Sequence, residues 1–157
     1  SRACLSNAMN VGHPSNLARF FELYGGTVDR NGVVHKYPDL AEMRKHIFSA
    51  SVSDAETKDT IRRVYEQHKV LLEPHGAVGW RGLERYTELH GDTPLAVVLE
   101  TAHPAKFPDE IKEMLGITPE LPPSMKDIDA RTGEPVLMSG DYGKLREYLL
   151  KNLKARE

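Results

Sequence analysis

Two short apolar runs bracket a segment with punctuation at both ends, and this arrangement constrains the fold more than any other feature. Lys69-Val70-Leu71-Leu72 comes first and Pro94-Leu95-Ala96-Val97-Val98-Leu99 second. A continuous β-branched run suits a strand covered on both faces, as strands of parallel sheets are. Between the runs, Glu73-Pro74-His75-Gly76-Ala77 reads as a turn into a helix from Val78 to Leu89, ended by His90-Gly91. Strand, helix and strand in roughly 30 residues make a βαβ unit, with a right-handed crossover. The expected fold class is α/β: a partial doubly wound, mostly parallel sheet with flanking helices. Ligands of open α/β sheets sit beyond the carboxyl ends of strands, which singles out Glu73–Gly76 and Glu100–Lys106.

Helical signals surround this unit. Leu17, Phe20, Phe21 and Tyr24 fall at helical spacing before Gly25-Gly26. Pro38-Asp39 opens a helix carrying Leu40, Met43 and Ile47. Ser53 with Glu56 three residues on is a capping box, which satisfies orphan backbone N–H groups; it starts a helix through Ile61, Val64 and Tyr65. Pro108 to Leu115 is a short helix closed by Gly116. A proline-marked loop follows to about Gly140, and Tyr142 to Leu153 reads as a surface helix. The expected division is therefore 1–116 and 117–157, the second part being loop and surface helix.

Composition removes several function classes. The 157 residues are 39% hydrophobic and 28% charged, with 21 Lys plus Arg against 23 Asp plus Glu. That is ordinary globular composition, and a near-neutral chain without a basic cluster is a poor nucleic-acid binder. One cysteine, Cys4, gives neither a disulfide framework nor a multi-cysteine zinc site. No run approaches the ~18 consecutive apolar residues of a membrane span. The first residues lack the charged-then-apolar pattern of a secretory leader, and a reducing cytoplasm is the expected setting. The chain opens on Ser1; Ser6-Asn7-Ala8-Met9 reads as native sequence rather than a tag scar, because five residues precede it.

The seven histidines, His13, His35, His46, His68, His75, His90 and His103, form no HExxH and no i, i+4 pair with a nearby carboxylate ligand, so no metal site is expected. Neither a GxSxG elbow nor a GxxxxGK[ST] or GxGxxG loop is present. Two segments remain. In Val97-Val98-Leu99-Glu100-Thr101-Ala102-His103-Pro104-Ala105-Lys106-Phe107, a strand delivers Thr101 to its carboxyl end. Either Thr101 bonds its own backbone and His103-Pro104 turns the chain, or a hydroxyl and two cations are aimed into a cleft. In Glu73-Pro74-His75-Gly76-Ala77-Val78-Gly79, the glycines let a ligand, or simply the sheet, approach a helix N-terminus that favours negative charge.

These blocks carry a resemblance. Ser6-Asn7-Ala8-Met9-Asn10-Val11-Gly12-His13-Pro14-Ser15-Asn16, Glu73-Pro74-His75-Gly76-Ala77-Val78-Gly79 and Leu99-Glu100-Thr101-Ala102-His103-Pro104-Ala105-Lys106-Phe107, in that order, resemble the C-terminal portion of the threonine synthase family. Asn10 stands where that family usually has Asp, and Gly76 where Thr is common. The resemblance implies part of the large domain of a pyridoxal-phosphate enzyme of fold type II, the fold of the tryptophan synthase β chain. It implies conversion of O-phospho-L-homoserine and water to L-threonine and phosphate in the complete enzyme, with pyridoxal 5'-phosphate as electron sink. Thr101, Glu73 and Gly76 are then the expected cofactor-binding residues, with Thr101 at the pyridine nitrogen. His103, Lys106, Ser15 and Asn16 are candidates for substrate.

The family's Schiff-base lysine lies in a Phe-Lys-Asp context and its phosphate cup reads Gly-Asn-Phe-Gly-Asn; neither string occurs here. The resemblance implies that both lie on polypeptide upstream of Ser1, so no catalytic residue is expected in these 157 residues, which alone would be inactive. A partial sheet also implies unpaired edges, and hence self-association or assembly with the missing N-terminal portion. Two alternatives stand beside this: a non-catalytic, stand-alone ligand-binding or assembly domain, and a dehydratase-like lyase, against which the Thr-Ala-His-Pro-Ala-Lys-Phe block argues.

Overall fold

The structure is a computed structural model that describes residues 3–7, 10–11, 14–91, 95–128 and 130–153. The chain divides into two compact units, 1–120 and 121–157.

In the first unit, α1 (Asn16–Leu23) turns at Gly25, φ +76°, into a hairpin of β1 (Thr27–Val28) and β2 (Val34–Lys36). The strands pair antiparallel. Asp29 Oδ1 accepts from the amides of Asn31 (2.8 Å) and Val33 (3.0 Å), and Gly32 takes φ +84°. The Asn31-Gly32 pair is a hairpin-turn signal. Gly26 is fixed by contact: a Cβ there would lie 2.6 Å from the Pro38 nitrogen. Helix α2 (Leu40–His46) starts on Asp39, whose side chain accepts from the Ala41 and Glu42 amides.

Helices α3 (Asp54–His68) and α4 (Pro74–His90) form the main packed pair, joined by α5 (Pro108–Leu115). Ile61, Val64, Leu72, Ala77, Phe107, Ile111 and Met114 make the core. The Arg63 guanidinium grips Glu84 with two bonds, 2.8 and 2.9 Å, and Arg81 reaches Glu84 at 3.2 Å, tying the exposed sides of α3 and α4 together. The capping box of Ser53 and Glu56 is present at the start of α3. Helix α4 begins at Pro74 rather than Val78, so the expected turn is its first helical turn, with proline at N1.

The expected parallel sheet is not formed within the described residues, where the only sheet is the β1–β2 hairpin. Residues 69–73 and 95–100 have no ladder, and the call on Pro94 lies outside the described residues. The reason is physical: a helix closes its hydrogen bonds within itself, whereas a strand needs a neighbour for each N–H and C=O. Leu95, Val97 and Leu99 accordingly stand 83%, 78% and 75% exposed.

In the second unit, a single 3₁₀ turn (Pro123–Met125) precedes α6 (Tyr142–Asn152), which Asp141 caps by accepting from the Lys144 amide. Helix α6 buries none of its residues, which is the surface character its sequence predicts.

Candidate functional site

The two segments singled out by sequence meet at the N-terminus of α4. The Glu73 backbone amide donates to Glu100 Oε1 at 2.8 Å. Glu73 is the N-cap, and its carboxylate turns inward: Oε1 accepts from the Gly76 amide (2.9 Å), and Oε2 from the His75 amide (2.8 Å) and ring Nδ1 (2.5 Å). Its side chain is fully buried. A buried carboxylate is tolerated only when its lone pairs are filled, and here two helix N–H groups and an imidazole fill them. The His75 ring lies 5.7 Å from that of Phe107, and its Nε2 is buried without a partner among the described residues.

Glycine at 76 and 79 answers to close approach from the following segment. A Cβ at Gly76 would lie 3.1 Å from Glu100 Cγ, and one at Gly79 3.0 Å from Val98 Cγ1. The neighbour that uses the space at Gly76 is the Glu100 side chain. Burial pushes the Glu100 carboxyl above the usual range; the bond from the Glu73 amide opposes this, the Glu73 charge adds to it, and His103 opposes it.

Thr101 follows Glu100 and is exposed. His103 starts the 3₁₀ turn Pro104–Lys106, its Nδ1 accepting from the Ala105 amide at 3.1 Å. That bond assigns the neutral ring's proton to Nε2. Lys106 is exposed, and Phe107 is buried at the start of α5. A cavity of about 630 Å³ lies alongside, lined by Tyr65, Lys69, Glu100, His103 and residues 117–120. Lys69 is the one non-glycine residue with positive φ (+59°) among those described, where it ends α3.

Thus Glu73, Gly76, Thr101, His103 and Lys106 fall in one neighbourhood. Ser15 and Asn16 do not: they are exposed at the start of α1, whose packing partner is β1. Glu73 and Gly76 form the cap of α4, and the Glu100 side chain occupies the space beside Gly76. Glu100 and His75 lie in the two segments that the sequence singled out, but neither was given a role there. The signal for Glu100 was an acidic residue beside Thr101 together with a glycine where an acidic cap partner usually sits. Among the described residues, no group of three His, Cys, Asp or Glu is arranged to hold a metal ion.

The family model described as threonine synthase, C-terminal, matches residues 76–149. A threonine synthase of Haemophilus influenzae is 36% identical over 153 residues, 96% of this chain and 31% of that protein. One from Serratia marcescens is 33% identical over 151 residues, 94% and 30% respectively. The chain is similar to the C-terminal part of threonine synthases. A crystal structure of PLP-bound threonine synthase from Brucella melitensis matches 98% of the chain with a TM-score of 0.77 at 27% identity, and the match covers 35% of that enzyme. The chain therefore spans about a third of the length of these threonine synthases. No helix among the described residues is long and apolar enough to cross a membrane.

Proposed function

We propose that the polypeptide carrying this chain is a pyridoxal-phosphate-dependent threonine synthase, converting O-phospho-L-homoserine and water to L-threonine and phosphate in the cytoplasm. The observation that carries the reading is the exposed Thr101 inside the stretch that matches the family model, held next to Glu100, whose carboxylate accepts from the amide of the buried Glu73. In this reading residues 1–116 are one wall of the catalytic domain and 117–157 a terminal loop and helix. Segments 70–72 and 95–99, which have no ladder here, are in the same reading strands of a mostly parallel sheet whose neighbours come from polypeptide outside these 157 residues.

The residues present fit the cofactor unevenly. Thr101 fits, because its hydroxyl stands free of the core at the end of an extended segment. Glu73 and Gly76 fit only as support, because their polar groups and space are already taken. Pyridoxal phosphate, when bound, supplies the electron sink for removing phosphate from the γ-carbon and adding water at the β-carbon. A neutral Thr101 hydroxyl at the ring nitrogen does not hold a proton there as a carboxylate would. His103 offers Nε2–H and Lys106 an ammonium on one short turn, two donors suited to the phosphate or carboxylate of the substrate. Ser15 and Asn16 take no part in this account.

Threonine and phosphate release by the complete polypeptide test the reading, with Thr101→Val beside the wild type. The expected result is retained cofactor attachment and reduced turnover for the variant, and neither turnover nor attached cofactor for the 157 residues alone. Unchanged turnover in Thr101→Val removes that residue from the site. Threonine formation by the isolated chain overturns the division of labour, and the same chain in sedimentation reports the self-association that unpaired edges imply.

A further inference from the structure

The amide of an N-cap residue has no partner inside its helix, and in a capping box the side chain at N3 reaches back to it. At α4 the N-cap is Glu73 and N3 is Gly76, which has no side chain to reach with. The Glu73 amide is nevertheless bonded, to a carboxylate from 27 residues downstream. The Glu100 side chain also lies where an N3 side chain would begin, within 3.1 to 3.4 Å of the Cβ that Gly76 lacks. We infer that Glu100 completes a split capping box on α4, standing in for the missing N3 side chain, and that this makes it the positioning residue for Thr101.

The second half of the inference rests on the threonine synthase reading; the first does not. Leu95, Val97 and Leu99 are mostly exposed, so the segment entering Thr101 has little apolar packing of its own. Behind Thr101, Ala105 and Phe107 are buried. The Glu100 bond fixes the near side of Thr101, and the Ala105–Phe107 packing fixes the far side. The charged and titratable groups facing Glu100 are Glu73 on α4, His103 on its own segment, and Tyr65, Lys69 and Glu120 around the cavity.

Three variants of the complete polypeptide separate positioning from capping. Hydrogen exchange at the Glu73 amide reports the cap. The order of the Thr101 methyl group by nuclear magnetic resonance reports the segment, with no need of turnover. Glu100→Gln keeps an acceptor and is expected to leave both readouts as in the wild type. Glu100→Ala is expected to speed Glu73 exchange roughly tenfold, the equivalent of about 1.4 kcal/mol, and to loosen Thr101. Gly76→Glu combined with Glu100→Ala restores a local capping box in the vacated space; it is expected to recover slow Glu73 exchange but not Thr101 order. If the double variant recovers both readouts, or if Glu100→Ala leaves Thr101 ordered, Glu100 is a cap alone and the inference fails. If Glu100→Gln behaves like Glu100→Ala, the bond from Glu73 is not what holds the segment, and the inference fails again. Should Glu100→Ala not fold, the Gln and double variants still decide the matter. Absence of threonine formation by the wild-type complete polypeptide, with these outcomes intact, would sink the enzymatic reading and leave the split cap standing.

Discussion

At the start of α3, Ser53 and Glu56 satisfy each other across three residues: the Ser53 amide donates to Glu56 Oε2 at 2.9 Å, and Ser53 Oγ accepts from the Glu56 amide at 3.3 Å. At the start of α4, the same two bonds are divided between Glu73, which accepts from the Gly76 amide, and Glu100, which accepts from the Glu73 amide. The local version belongs to the helix and forms whenever the helix does. The divided version forms only when a distant segment arrives, so it reports tertiary structure and ties that segment down. The two boxes also differ in charge. Glu56 accepts from the Ser53 amide and hydroxyl, with Arg85 adding its charge, and its pKa is lowered to about 2. Glu100 is pushed up by burial and by the Glu73 carboxylate beside it.

The largest effect is expected at Glu73. Glu73→Ala removes the cap and leaves the His75 ring nitrogen unpaired in a buried setting. The expected cost is about 3 kcal/mol, a cap loss plus a buried unsatisfied group, read from urea denaturation. Ser53→Ala leaves its unpaired groups in water and is expected to cost about 1 kcal/mol. Equal costs at the two positions would erase the distinction between the boxes.

These same helix starts show how far the sequence could be read. The α3 box was legible because Ser-x-x-Glu is a pattern within one turn, and Ser is a strong N-cap residue. The α4 start was read four residues late, since Glu is not a favoured N-cap and the nearby glycines suggested a turn. Its completing residue, Glu100, lies beyond any local pattern. The apolar runs at 69–72 and 95–99 announced burial and period, but a strand also needs a partner, and none lies in the described chain. The β1–β2 hairpin went unread although Asn31-Gly32 marks its turn, because its strands are only two and three residues long. In the candidate site, the block around Thr101 was legible as residue types in order, while the commitment of Glu73 and Gly76 to capping needed coordinates.

Acid titration sharpens the contrast through its sign. Glu56 has a folded pKa near 2 against 4.5 for the free side chain, so its contribution is full above pH 4.5 and is lost as pH falls toward 2. Glu100 is shifted upward, so folding favours its protonated form and its ionisation lowers stability as pH rises through the raised value. Melting temperatures across the acid range should therefore fall less steeply in Glu56→Gln than in the wild type. Glu100→Gln should melt at or above the wild type at neutral pH, with the difference closing on acidification. A Glu100→Gln curve that tracks Glu56→Gln would mean that the two carboxylates sit in equivalent surroundings.

The smallest effect is expected in the segment that carries Glu100 to α4. Leu99 is 75% exposed, one residue before the bonded carboxylate, and its side chain touches little that its loss would uncover. In the 157 residues alone, Leu99→Ser should change stability by no more than about 0.5 kcal/mol, as for other exposed positions. The bond from the Glu73 amide to the Glu100 carboxylate is unaffected, so Glu73 exchange should be unchanged as well. In the complete polypeptide, where 95–99 is proposed to lie within a sheet, the same substitution takes apolar area out of a covered face and should cost about 2 kcal/mol. A cost of that size already in the isolated chain, together with a sedimentation coefficient that falls on substitution, would mean that copies of this chain cover the segment themselves. The divided cap would then be holding an interface rather than the wall of a site.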